Sequence, residues 1–296
     1  TTTQNVFVGD RAGRETIGSN VVAIGYQTGY YATGSNNTFV GSEAGKGGTT
    51  SAPYSSGQYN VAMGYQAFDA FTTAEYNTVI GNRAGSAVTT GNQNVLLGAG
   101  AGFSLTTGQY NTIVGVDAAN IHTDVNNIVA VGWQASRYIE ADNTIAIGYQ
   151  AMKVHTTGAR NIAIGAYSMD DTDAGSTSLG SQDNIFMGYD AGGGTWADAA
   201  SSSNIGIGNY TLDAALNGAL NNVAIGHNAP AGLTSGDNNI AIGTQVMQSL
   251  TTGQGNIVMG HASGNNMSGA ASQNVAIGHN AGYGISTGQA NVILGN

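Results

Sequence analysis

A short motif recurs along the whole chain: Asn, then three apolar residues or Thr followed by two, then Gly. It appears seventeen times, from the glycine at Gly9 to the one at Gly295. Most anchor glycines lie 16 to 18 residues apart, with longer steps of 23, 23 and 20 residues before Gly64, Gly188 and Gly208. Helical hairpin repeats need roughly 30 residues or more, whereas a β-solenoid coil closes in fewer because each short strand pairs with its equivalent one coil away. The apolar triplets are rich in β-branched residues and bounded by turn formers, as in Asn94 to Gly98, Asn161 to Gly165, Asn222 to Gly226 and Asn274 to Gly278. The pattern predicts an all-β, parallel β-solenoid (β-roll) of about 17 coils with a period of 17–18 residues, forming one repeat domain over residues 1–296.

Each recurrent position suggests a job. The Asn lies four residues before the glycine in fourteen coils and five before it in three (Asn20, Asn127 and Asn143), and is expected to stack as a side-chain amide ladder or to serve as a turn former. The glycine is expected to supply a positive φ or to let backbone approach backbone. Three residues on, a small residue such as Ala84, Ala101 or Ala229 suits a tight inward corner. The stretch ending in Thr-Thr-Gly, as at Thr89-Thr90-Gly91, is expected to form a second strand and a turn.

The triplets lack the alternation of a strand with one wet face. The residue before the glycine is apolar in every coil, and the residue two before that is Val, Ile or Thr. The position between them, facing the other way, is never polar: Phe7, Ala23, Phe39, Leu96 and Phe186 are examples. Both faces should therefore be dry, the flanking pair packing inside the coil and the middle row covered by sister chains. An apolar stripe this long exceeds what a monomer leaves exposed. A homo-oligomer is expected.

Composition narrows the function. The chain carries 47 glycines, and only 8% of its residues are charged, which fits a repetitive structure better than an ordinary enzyme. Seven Lys+Arg against 17 Asp+Glu give a formal charge of −10, opposing non-specific binding to nucleic acid or anionic lipid. No apolar run is long enough to span a membrane, and the absence of cysteine removes disulfides and thiol chemistry. The first residues, Thr1-Thr2-Thr3, suggest a processed product or a fragment of a longer fibre.

The motif Asn143-Thr-Ile-Ala-Ile-Gly-Tyr-Gln-Ala151, with its relative Asn222-Val-Ala-Ile-Gly-His-Asn-Ala229, resembles the repeat of trimeric autotransporter adhesin heads. Similar stretches occur in proteins that look like phage tail fibres. The resemblance spans the chain, although the period here is longer than the usual adhesin coil. It implies a left-handed parallel β-roll assembled as a parallel homotrimer, with an extracellular, virion-tail or cell-surface role in adhesion. A self-assembling extracellular filament, a glycan-cleaving tailspike and, more remotely, an ice-binding solenoid with Thr73, Thr90 and Thr107 in a column are alternative readings.

Chemistry-bearing motifs are sparse. Gly41 to Gly47 has one residue too few between its glycines for a phosphate loop and carries Gly after Lys46. No catalytic set stands out and no cofactor is expected, so the chain is read as a non-enzyme. His227, His261 and His279 each follow an anchor glycine and could meet on a symmetry axis around a metal, or lie solvated on the outside. Asp171 and Asp173 belong to an acidic run that resembles part of a calcium loop, or is simply an acidic surface loop. Extra residues in a solenoid leave the stack as loops, expected near 47–58 with Tyr54, 169–182, and 192–203 with Trp196. Tyr26, Tyr65, Trp133, Tyr149 and Tyr189 form a row after the glycine. With Tyr54 and Trp196 they are the candidates for contact with a cell-surface glycan or host receptor, or else they pack over the coil or between protomers.

Overall fold

A computed structural model describes residues 4–50, 54–121, 123–155, 157–172, 180–197 and 199–295. The chain falls into two compact units, Thr1–Asp142 and Asn143–Asn296. Both are parallel β-solenoids, and the described residues contain no helix. The first unit stacks eight three-residue strands, β1 (Val6–Val8) to β8 (Val129–Val131), each pairing with the next. The second stacks nine in the same way, β9 (Ile145–Ile147) to β17 (Val292–Leu294). Equivalent residues always oppose one another, as Val79, Leu96 and Ile113 do, so the sequence repeat is the pairing register.

The rest of each coil is turn and bend with isolated parallel bridges, such as Leu250 to Gly269, in place of the expected second strand. In the coil of Gly81, Ala84 N–H donates to Gly81 C=O at 3.3 Å and Val88 N–H to Gly85 C=O at 3.1 Å, closing two successive turns. At the Thr-Thr-Gly stretch, the N–H groups of Thr89 and Thr90 converge on one carbonyl, that of Thr106, at 2.9 and 3.3 Å. A strand cannot do this, because its successive N–H groups point to opposite sides. The turns are nevertheless cross-linked coil to coil: Arg83 N–H donates to Tyr65 C=O at 2.8 Å and Gly85 N–H to Ala101 C=O at 2.9 Å. The bends place non-glycine residues in the left-handed region at two positions of most coils, with a third in some, as at Phe68 and Met152. Of the two, one is the second residue after the anchor glycine (Arg83, φ 53°) and the other the residue before the ladder position (Gln93, φ 58°).

The anchor glycine meets both expected demands. Gly98 has φ +134°, and a Cβ built there would lie 2.5 Å from the carbonyl oxygen of Gly115 in the next coil. The same collision recurs between Gly165 and Gly188, Gly226 and Gly243, and Gly278 and Gly295.

The asparagines form the amide ladder. Asn94 Nδ2 donates to Asn77 Oδ1 at 3.1 Å and to Gly108 C=O at 2.9 Å, while its Oδ1 accepts the backbone N–H of Asn111 at 3.0 Å. Asn161 and Asn184, Asn204 and Asn222, and Asn256 and Asn274 repeat the arrangement. Buried amides are stable only when their donors and acceptors are used, and the ladder uses them. Three coils depart from it: Val21, Ile128 and Thr144 occupy the buried position. Asn20, Asn127 and Asn143 fall one place earlier, at the left-handed bend, with φ near 60°. They are turn formers, not members of the ladder.

The middle residue of each strand points into the coil, the reverse of the assignment expected from sequence. Ala23, Phe39, Leu96, Ile113, Phe186 and Val258 are all fully buried. Bulk is shared between neighbouring coils: Phe186 fills the space left by Gly206, where an added Cβ would lie 2.5 Å from its ring. Phe39, between Ala23 and Ala62, packs on Phe71 at 5.6 Å, and Phe71 stacks on Phe68 at 4.9 Å. The flanking residues face outward, where Met63, Ile80, Ile147, Ile207, Ile225 and Ile277 are 36–41% exposed. The second apolar row is real, and in the single chain it is wet.

Candidate functional site: an apolar ridge and an aromatic corner

Two surface features follow from the coil geometry. The first is the ridge made by the outward strand residues. The strands are three residues long and in strict register, so these side chains line up one above another along each unit.

The second is a corner just past the anchor glycine. The first residue after the glycine projects outward, and Tyr26, Tyr65, Trp133, Tyr149 and Tyr189 are 40–48% exposed there, as the sequence suggested. The second residue sits in the left-handed conformation, which turns its side chain onto the same corner; Tyr167 (φ 59°) and Tyr210 (φ 55°) occupy it. In the second unit the two positions alternate over five successive coils. Tyr149 meets Tyr167 at 5.2 Å, Tyr167 meets Tyr189 at 5.8 Å, Tyr189 meets Tyr210 at 5.5 Å, and Tyr210 meets His227 at 5.8 Å. All four contacts are edge-to-face, with interplanar angles of 67–83°, the arrangement favoured by the ring quadrupole. Sequence reasoning missed Tyr167 and Tyr210 because it followed one column only. The signal available was an aromatic one place further on in the two coils of this run whose first position, Ala166 or Asn209, lacks one.

The three histidines occupy two different settings within the chain. His261 and His279 stack in parallel at 5.2 Å and 8°, whereas His227 ends the tyrosine series. Among the described residues, no group of three His, Cys, Asp or Glu side chains is placed to hold a metal ion. Asp171 Oδ2 instead accepts the Thr195 hydroxyl at 2.8 Å, and Asp173 lies outside the described residues.

Of the carboxylates beside the corner, Asp170 belongs to the acidic run noted in the sequence, whereas Asp190 and Asp213 were not singled out. Burial pushes the Asp170 carboxyl from 3.8 up to about 6, with the charges of Asp190 and Asp171 adding to it. Burial also raises Asp213 to about 6, assisted by Asp190, and raises Asp190 itself. These three acids occupy adjacent coils, and Asp190 directly follows Tyr189. Burial likewise raises Tyr167, followed by a hydrogen bond with Tyr149, and the charge of Asp170 adds to it.

Of the expected loop contacts, Tyr54 stacks on Tyr31 at 5.7 Å in a small cluster with Tyr30. Residues 51–53 of that insertion and 173–179 of the next lie outside the described residues. Trp196 requires a correction. It is fully buried, meets Phe186 edge-on at 5.8 Å, and donates its indole N–H to Gly192 C=O at 2.9 Å. An insertion expected to display a tryptophan instead folds it inward, against the Phe186 ring in the core.

No protein-family model, curated protein or solved structure matches the chain.

Proposed function

We propose that the chain is a segment of an extracellular fibre, of virion-tail or cell-surface type, that assembles as a parallel homotrimer and displays its corners and loops for attachment. The supporting observation is the exposed apolar ridge: Ile207, Ile225 and Ile277 stand 37–41% exposed on the outward side of a strand stack whose inner side is already filled. Completing the burial of such a side chain gains about 0.6–1.2 kcal/mol, taking two-fifths of the full transfer value. Repeated over many coils this gives a long, continuous interface, and parallel alignment of identical coils sets like residues opposite like. Three-fold closure is the choice favoured by the adhesin-head resemblance. No catalysis is assigned, and the acidic surface suits neither nucleic acid nor anionic lipid.

Light scattering on purified protein tests the assembly. A particle of three times 29.8 kDa is expected, and replacing Ile207 and Ile225 together by Glu should yield single chains of unchanged circular dichroism. A wild-type protein that stays at 29.8 kDa at micromolar concentration would overturn it.

A further inference from the structure

We propose that the ring series Tyr149, Tyr167, Tyr189, Tyr210 and His227 is a binding strip for an extended, neutral, β-linked glycan. The proposal deepens the attachment role by naming the ligand class, and it rests on that reading. The rings belong to five successive coils held by the parallel strand ladder from β9 to β13 (Val223–Ile225), so their spacing is fixed by backbone hydrogen bonds. Adjacent strands lie about 4.8 Å apart, so rings at the same position in alternate coils, Tyr149, Tyr189 and His227, recur every ~9.6 Å. That interval is close to two sugar units in a flat, β-1,4-linked pyranose chain, which presents the same face at every second residue. A tyrosine offers an apolar face for the C–H side of a pyranose and a hydroxyl for its polar rim.

Tyr149 and Tyr189 remain 43% and 42% exposed to solvent alongside their contacts with Tyr167 and Tyr210. The rings are already ordered by their neighbours, so little side-chain freedom remains to be lost on binding. The charge nearby selects the ligand. Asp190 directly follows Tyr189 in the chain, and a net charge of −10 repels sulfated or uronic polymers. In the first unit the corresponding column is interrupted: Ser42 separates Tyr26 from Tyr65, and Asn82, Ala99 and Val116 follow. The continuous series is specific to these five coils.

Calorimetric titration of the full chain with cellohexaose and with chitohexaose tests the strip. Binding of at least one hexasaccharide is expected, weakened about 3- to 10-fold by Tyr189→Ala or Tyr149→Ala, as befits loss of one stacking ring. Tyr110→Ala, which removes an exposed ring elsewhere, should leave affinity unchanged. The corresponding disaccharide, spanning one interval only, should bind more weakly. No binding of either hexasaccharide, wild-type affinity in both corner variants, or preference for heparin would each overturn the assignment. Light scattering on the same samples separates this from the fibre proposal: a trimer that ignores both sugars loses only the ligand, whereas a chain that never associates loses the assembly.

Discussion

Replacing Asn222 by Ala probes the ladder at its best-supported point. Asn222 Nδ2 donates to Asn204 Oδ1 at 3.0 Å and to Gly236 C=O at 2.8 Å. Its Oδ1 accepts both the backbone N–H and the Nδ2 of Asn239 at 3.0 Å. After truncation, Asn204 Oδ1 keeps the Asn222 backbone N–H and Asn239 Nδ2 keeps Gly253 C=O. The Asn239 N–H and the Gly236 carbonyl lose the ladder partners they had. Two buried backbone groups deprived of partners cost about 1–3 kcal/mol each, so the variant should lose about 2–6 kcal/mol. Urea unfolding followed by circular dichroism reads the shift, and hydrogen exchange at the Asn239 amide should accelerate with it. Asn82→Ala, at an exposed position, should change stability by less than about 0.5 kcal/mol. Asn222→Asp adds a check, since a carboxylate oxygen would face the acceptors Asn204 Oδ1 and Gly236 C=O, making the variant weaker at neutral than at acid pH. If Asn222→Ala were no more costly than Asn82→Ala, the ladder would be decoration and the argument from satisfied amides would fail.

Gly243→Ala should cost about 3 kcal/mol or more, because φ is +140° and the new Cβ would lie 2.6 Å from the Gly260 carbonyl oxygen; a melting temperature equal to wild type would contradict this. Trp196→Ala should cost about 3–5 kcal/mol through the cavity left against Phe186, a loss readable in the same urea experiment and far larger than a surface ring could give. For Asp170 and Asp213 the folded-state pKa, about 6, lies above the ordinary 3.8, so the folded chain holds the proton more tightly than the unfolded one. Their contribution is therefore full below pH 3.8 and lost as pH rises through about 6. Unfolding midpoints should climb on acidification across that window, and Asp170→Asn with Asp213→Asn should flatten the climb; an unchanged slope would show that the acids are solvated.

Much of this architecture was legible before any coordinates. The Asn94 to Gly98 segment and its sixteen counterparts located the strands, because a triplet of apolar residues closed by glycine has few other uses at this period. The anchor glycines declared their role through chemistry alone: only a residue without a Cβ tolerates both the positive φ and the carbonyl of the coil above. Val21, Ile128 and Thr144 show the limit of that approach, since counting asparagines placed Asn20, Asn127 and Asn143 in a ladder that they miss by one residue. A shift of one position exchanges a buried site for a bend, and composition does not register it.

The sequence by itself determined the period, the strand positions and the existence of two apolar rows, since these follow from local spacing and the alternation of side chains along a strand. Only the tertiary structure decided which row is the core, because Phe39 and Ala23 are equally apolar on either face, and the choice depends on which way the following turns bend. The same holds for Trp196, folded inward against Phe186, and for Tyr167 and Tyr210, brought to the corner by a left-handed residue that a pattern of polarity does not reveal. Contacts between coils depend on the direction in which each side chain leaves the backbone, and that direction is fixed when the chain closes its turn.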